Sequence, residues 1–216
     1  MKNSKSQTPL NRLWFLSRGY RKHPRLNLWA HEGCSCFFNA HGQKLAHNYS
    51  PARRAKSVGR GYRAPSTNCR EGNKACHVLM GEIFYGERLV FLDRKGKPYF
   101  GHCHHLINDP LNYAPENLLC WLTYSEHSKA DKRRCALEDI VPDGNLNGLD
   151  YAILRELQDP RTMSDAEFQS RLEYIRFMRE CDFDPRIFTA DDFHHWFSMP
   201  FDDFKSFFIK YKDSLA

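Results

Sequence analysis

The sequence predicts an α+β fold, and three observations predict it. Gly101–Arg134 reads as strand, loop, strand and helix in immediate succession. Behind Arg134 the apolar residues recur at helical spacing. The charge divides at the same place, with 23 Lys/Arg against 9 Asp/Glu through Arg134 (net +14) and 9 against 17 beyond it (net −8). The 216 residues therefore fall into a basic N-terminal region (1–66), a central α+β segment (67–136) and an acidic helical region (137–216).

Composition bounds the function classes. With 41% hydrophobic and 14% aromatic residues the chain can build a modest core. No apolar run approaches the roughly 20 residues of a membrane span. The N-terminus is polar and basic, without the apolar stretch of a secretory signal, so an intracellular protein is expected. The eight cysteines are then expected to stay reduced. A basic front part suits a polyanion, since phosphate contacts release counterions. The acidic back part does not; packing on the core or a protein partner is expected there.

Residues 1–33 open with a polar tail and continue as LNRLWFLSRGYRKHPRLNLW. Aromatics interleaved with Arg and Lys have two readings, a strip lying along a nucleic-acid backbone or a small apolar core with a solvated basic face. CSCFFNAHGQKLAHNYS alternates like a strand pair, with His41-Gly42 as the turn. Pro51–Pro65 is the most basic stretch outside the central segment. Its glycines allow close approach, and Arg53, Arg54, Lys56, Arg60 and Arg63 are expected to meet phosphates. Cys34, Cys36, Cys69 and Cys76 lack a C-x-x-C pair, so buried thiols are expected rather than a zinc site. Cys103 and Cys120 belong to the two central strands as core residues.

The central segment gathers His102, His104, His105 and His127 with Asn108, Asn112 and Asn117. Pro98–His105 is a short strand ending in a histidine pair, and ENLLCWL (Glu116–Leu122) is an apolar strand. The loop between them, INDPLNYAP, carries the Asn, Asp and Pro that turns need. Thr123 and Glu126 form a capping box, which starts a helix just before His127.

This stretch resembles the HNH endonuclease family, whose ββα-metal motif has the same order and spacing. Asn112 and Asn117, seven and twelve residues after His105, fall on the family's two loop asparagines; His127 follows ten residues later. The phrase PLN…PENL…LT.SEH is typical of the phage and mobile-element branch. CHVLMGEIFYG (Cys76–Gly86) resembles the short helix that precedes the motif there. The resemblance covers about residues 76–135.

It implies a metal-dependent endonuclease that hydrolyses phosphodiester bonds in double-stranded DNA inside a bacterial cell. His105 would be the general base, a role suited to an imidazole at neutral pH. His104 and His127 would hold one divalent ion: Mn²⁺, Co²⁺, Ni²⁺ or Mg²⁺, with Zn²⁺ also able to bind. Asn117 and Asn112 would tie the loop and fix His105. His102 is a third ligand, a phosphate contact or a plain surface histidine. Lys129, Lys132, Arg133 and Arg134 follow His127 on a helix that docks on DNA in the family, which implies phosphate contacts. The chain departs from the family at His104, often Asp, at His127, often Asn, and at Ile107, often Asp. Two imidazole ligands would favour Mn²⁺, Co²⁺ or Ni²⁺ over Mg²⁺. The rival readings are a catalytically silent DNA-binding or regulatory module with the same fold, and a structural protein whose histidines hold zinc.

Past Arg134, four runs read as helices. Leu149–Leu157 is amphipathic. Ser164 to Glu167 is a capping box opening a helix with Phe168, Leu172, Ile175 and Met178 on one face. Thr189 to Asp192 caps a third with Phe193, Trp196 and Phe197, and Asp202–Leu215 carries Phe204, Phe207, Phe208 and Tyr211. His194 and His195 diverge by about 100° on a helix and are read as structural.

Overall fold

The computed structural model describes residues 12–46, 48–49, 65–69 and 72–215. It is a mixed α/β chain with seven α-helices and small antiparallel sheets among the described residues. The residues group into two units, Met1–His105 with Asp109–Trp121, and Leu106–Asn108 with Leu122–Ala216.

The first unit begins with helix α1 (Arg12–Leu16) and the antiparallel strands β1 (Tyr20–Lys22) and β2 (Trp29–His31). Phe15 stacks on Trp29 with ring centroids 4.2 Å apart, and Leu26, Leu28 and Ala30 are buried beside them. Arg12, Arg18, Arg21, Lys22 and Arg25 stay outside. Of the two readings of this stretch, the apolar core with a basic outer face matches that burial. Phe38 bridges to Trp29 on one side and Lys44 on the other, and the chain turns through Asn39–Gly42 as the alternation predicts.

Strands β3 (Asn48–Tyr49), β4 (Pro65–Cys69) and β5 (Gly72–Ala75) form a three-stranded sheet in that order. Arg53, Arg54, Lys56, Arg60 and Arg63, read as phosphate contacts, lie outside the described residues. Helix α2 (Cys76–Phe84) follows without a side-chain cap. Its buried face, Cys76, Leu79, Met80 and Ile83, packs with Phe37, Tyr113, Leu118 and Trp121 as the centre of this unit.

α2 is pinned by a buried polar group. His23 Nδ1 accepts from the backbone N–H groups of Arg25 and Leu26 at 3.1 and 3.2 Å, so its ring proton sits on Nε2 and is donated to Glu82 at 2.9 Å. Arg25 reaches the other carboxylate oxygen at 3.2 Å. The His23 hydrogen bond is the main cause that holds the Glu82 carboxyl below its ordinary value, against the opposing effect of burial.

The run Pro98–His105, expected as one strand, is two. β6 (Val90–Leu92) pairs with β7 (Pro98–Phe100), while β8 (His102–His105) pairs with β9 (Leu118–Leu122). Gly101 is the break. A Cβ there would stand 3.0 Å from both the Phe91 ring and the Trp121 Cα, so only glycine lets the chain pass that backbone and change sheets. The apolar run after Glu116 also divides, into a 3₁₀ turn (Pro115–Asn117) and β9.

In the second unit α3 (Tyr124–Glu138) starts on the expected capping box. Thr123 accepts from the Glu126 N–H, and Glu126 accepts from the Thr123 N–H at 2.7 Å. Then come α4 (Tyr151–Gln158), α5 (Asp165–Glu180), α6 (Ala190–Phe197) and α7 (Phe201–Leu215). Capping boxes at Ser164 and Thr189 open α5 and α6. Phe193, Phe204 and Phe208 are fully buried, and the Phe188 ring meets Trp196 of α6 and Phe208 of α7 at centroid distances of 4.5 and 6.2 Å. His194 pairs with Glu156 at 2.6 Å, in keeping with a structural role. Among the described residues no helix is long and apolar enough to cross a membrane.

Candidate metal centre

β8 reads HCHH, and its period of two divides those side chains between its faces. Cys103 and His105 share one face. The Cys103 thiol reaches the His77 carbonyl at 3.9 Å, and the His105 ring lies edge-on to the His77 ring, centroids 5.2 Å apart at 75°. His102 and His104 share the other. His104 is 2% exposed; the His102 ring is tilted against Tyr99 at 6.2 Å.

The loop from β8 to β9 is tied by the two asparagines singled out in the sequence. Asn117 is fully buried and donates its side-chain amide to the Asn112 backbone carbonyl at 2.7 Å. The Asn112 side chain accepts from the Ala114 N–H and from the Ser35 hydroxyl, both at 3.4 Å. Tyr113 beside it stacks on Phe37 at 5.7 Å and shares a hydrogen bond with the Cys76 thiol. Burial pushes the Tyr113 hydroxyl upward and the Cys76 thiol up to about 12. Burial likewise lifts the Cys36 thiol to about 12, so these sulfurs stay protonated and pack as neutral groups. The seven cysteines with described side chains are free thiols; the Cys69 side chain lies outside the described residues.

Trp121 sets the exit of β9. Its φ of 62° is in the left-handed region, unusual for a bulky side chain. Gly81 makes room for it, since a Cβ there would stand 3.0 Å from the indole and from the Cys120 sulfur. Two residues later Thr123 caps α3, which carries His127 as its fourth residue.

His127 and Asp131, one helical turn apart on α3, offer an imidazole and a carboxylate, and His104 offers a buried imidazole on β8. A divalent ion about 2.0–2.2 Å from its donors spaces them by about 3–4.5 Å, a spacing that His127 and Asp131 already meet. Two imidazoles and a carboxylate suit Mn²⁺, Co²⁺, Ni²⁺ or Zn²⁺ and supply one hard oxygen for Mg²⁺. Asp131 Oδ2 is also 3.2 Å from His127 Nδ1, one helical turn away, which orients that ring.

Asp131 is the residue that sequence reasoning missed. Its signal was the i, i+4 step from His127 on a helix whose start was already evident. His77 was missed as well, since nothing local marks it as a neighbour of His105.

The four cations after His127 part company. Lys132 is exposed. Lys129 pairs with Asp165 at 2.9 Å while half exposed. Arg134 is mostly covered and bonds Glu138 at 2.6 Å. Arg133 corrects the expected phosphate contact. Its side chain is 4% exposed and donates to the carbonyls of Leu157 and Asp159, both at 3.3 Å, to that of Met163 at 2.9 Å, and to the Asp165 carboxylate at 2.7 Å. A guanidinium so engaged and so buried holds α3 to the segments around α4 and α5 and does not face DNA.

Comparison with known proteins finds no family model that matches the chain and no curated protein or solved structure similar to it.

Proposed function

We propose that the chain is a DNA endonuclease of the HNH type, hydrolysing phosphodiester bonds with one divalent ion and a histidine base. The observation that carries this reading is the strand–loop–strand–helix segment itself, with the His104-His105 pair on β8, Asn117 tied to Asn112 in the loop, and His127 paired with Asp131 on α3.

In this reading His105 takes the proton from the attacking water, and His77 holds its ring edge-on. Asn117, through its bond to Asn112, fixes the loop that follows the base. His104, His127 and Asp131 hold the ion, which when bound supplies charge stabilisation at the phosphate oxygens. The basic balance of the chain through Arg134, net +14, draws the duplex. Lys132 and the cations of 51–65 are the natural phosphate contacts.

Plasmid nicking by purified protein with Mn²⁺ or Mg²⁺, compared with His105→Ala, tests the proposal. Relaxed and linear products from the wild type and none from the variant are expected. DNA binding without cleavage in any metal would instead favour the silent module.

A further inference from the structure

The β6–β7 hairpin carries a surface that takes no part in the histidine cluster. Val90 stands opposite Phe100, Phe91 opposite Tyr99, and Leu92 opposite Pro98. Alternation therefore puts Val90, Leu92, Pro98 and Phe100 on one face. That face is open, with Val90 58%, Leu92 68% and Phe100 57% exposed. The opposite face is half-buried and carries the Phe91 and Tyr99 rings, 5.8 Å apart. An apolar patch of this kind with a polar rim marks an interaction site.

Its rim is cationic. At the tip the Asp93 carboxylate accepts the N–H groups of Lys95 and Lys97, each at 2.8 Å, and Gly96 closes the turn at φ +75°. This leaves Arg94, Lys95 and Lys97 exposed. At the base, Arg88 bonds the Gly101 carbonyl at 2.8 Å with its guanidinium 5.2 Å from the Phe100 ring centre. A groove beside it is lined by Lys74, Arg88, Val90 and Phe100, with Glu87 as the acid not already engaged by His23 and Arg25.

We propose that this hairpin is a wedge for duplex DNA. Its apolar face enters the minor groove beside the cut and unstacks a base step, while the cations at tip and base hold the flanking phosphates. The inference rests on the endonuclease reading above. A partner for this surface must join an apolar floor to negatively charged rails, and a duplex groove does. Phe, Leu and Pro are side chains that groove-binding proteins insert between base steps. A second copy of the chain would set like-charged rims against each other. Position agrees too, because β7 runs through Gly101 straight into β8. Four residues separate Phe100 from His104, a reach of at most about 14 Å.

The test uses the full chain, a plasmid-derived duplex whose cut has been mapped, and 2-aminopurine placed at successive positions around that cut. Binding is measured with EDTA, cleavage with Mn²⁺. The wild type should raise the fluorescence several-fold at one step near the cut. A Leu92→Ser/Phe100→Ser variant, with unchanged melting temperature, should bind within about tenfold but lose that rise and cut more slowly. An Arg94→Gln/Lys95→Gln/Lys97→Gln variant should flatten the slope of log affinity against log salt by up to about 2.7, at 0.9 per phosphate. Three results would overturn the wedge: no fluorescence change at any position, a double variant that keeps the rise and the cutting rate, or a wild-type dimer that Leu92→Ser dissociates. A wild type that cuts while the double variant is unaffected rejects the wedge alone. A wild type that neither binds nor cuts DNA rejects the endonuclease as well.

Discussion

Asn117 reaches back across its loop to the backbone carbonyl of Asn112, 2.7 Å away, from a fully buried position. Replacing it with Ala removes that bond and unties the loop. Asn117→Ala is expected to lose about 1–3 kcal/mol of stability and more cleavage than DNA binding. Chemical unfolding and nicking on one preparation check both; an unchanged rate would separate the loop from the chemistry.

His105→Ala should lower nicking by the roughly 10²–10⁴-fold typical of general-base loss while DNA affinity persists. His77→Ala should act in the same direction by a smaller factor, through the ring it holds edge-on. Near-wild-type turnover in His105→Ala would remove it from the base role.

The metal profile follows from the donors. In the proposed set His104 and His127 would be nitrogen ligands and Asp131 the single oxygen donor. Activity at equal low concentration should be higher with Mn²⁺, Co²⁺ or Ni²⁺ than with Mg²⁺. Asp131→Asn should weaken metal binding at least about 10–100-fold, with Mg²⁺ suffering most because it depends on hard oxygen. Calorimetric titration of Mn²⁺ and Mg²⁺ reads this directly; equal affinity in wild type and variant would exclude Asp131.

Glu82 makes stability depend on pH. Its folded value lies below the ordinary 4.5, mainly through the His23 hydrogen bond. The stabilisation is thus complete above about pH 4.5 and is lost as pH falls through the lower folded value. Glu82→Gln should cost about 1–3 kcal/mol at pH 7, and its gap from the wild type should close in acid. Urea melts from pH 3 to 7 measure the gap; a constant difference would contradict the linkage.

Arg133→Met should destabilise by about 3–5 kcal/mol, since three carbonyls and a carboxylate lose their donor. The salt slope of DNA binding should stay as it was. A flattened slope with normal stability would return Arg133 to the phosphates.

Local chemistry made much of this legible. The caps at Thr123, Ser164 and Thr189 and the helices behind them follow from short-range rules. So does the loop position of Asn117. What stayed hidden depends on distant neighbours. Gly101 breaks a strand only because Trp121 and Phe91 come close to it. Arg133 looked like its exposed neighbour Lys132, and only carbonyls 24 to 30 residues downstream turned it inward. Strands β4 and β5 carry no alternation that would have marked them.

The Arg133 fastening also sets an order of events at the ribosome. The last of its acceptors, Asp165, lies 32 residues downstream, roughly 2–6 s later at bacterial and eukaryotic elongation rates. During that interval α3 lacks this fastening. Under the endonuclease proposal, a fragment that ends before Asp165 should cut DNA more slowly than the full chain. Toxicity on expression should then track the full-length chain more closely than fragments that end before Asp165.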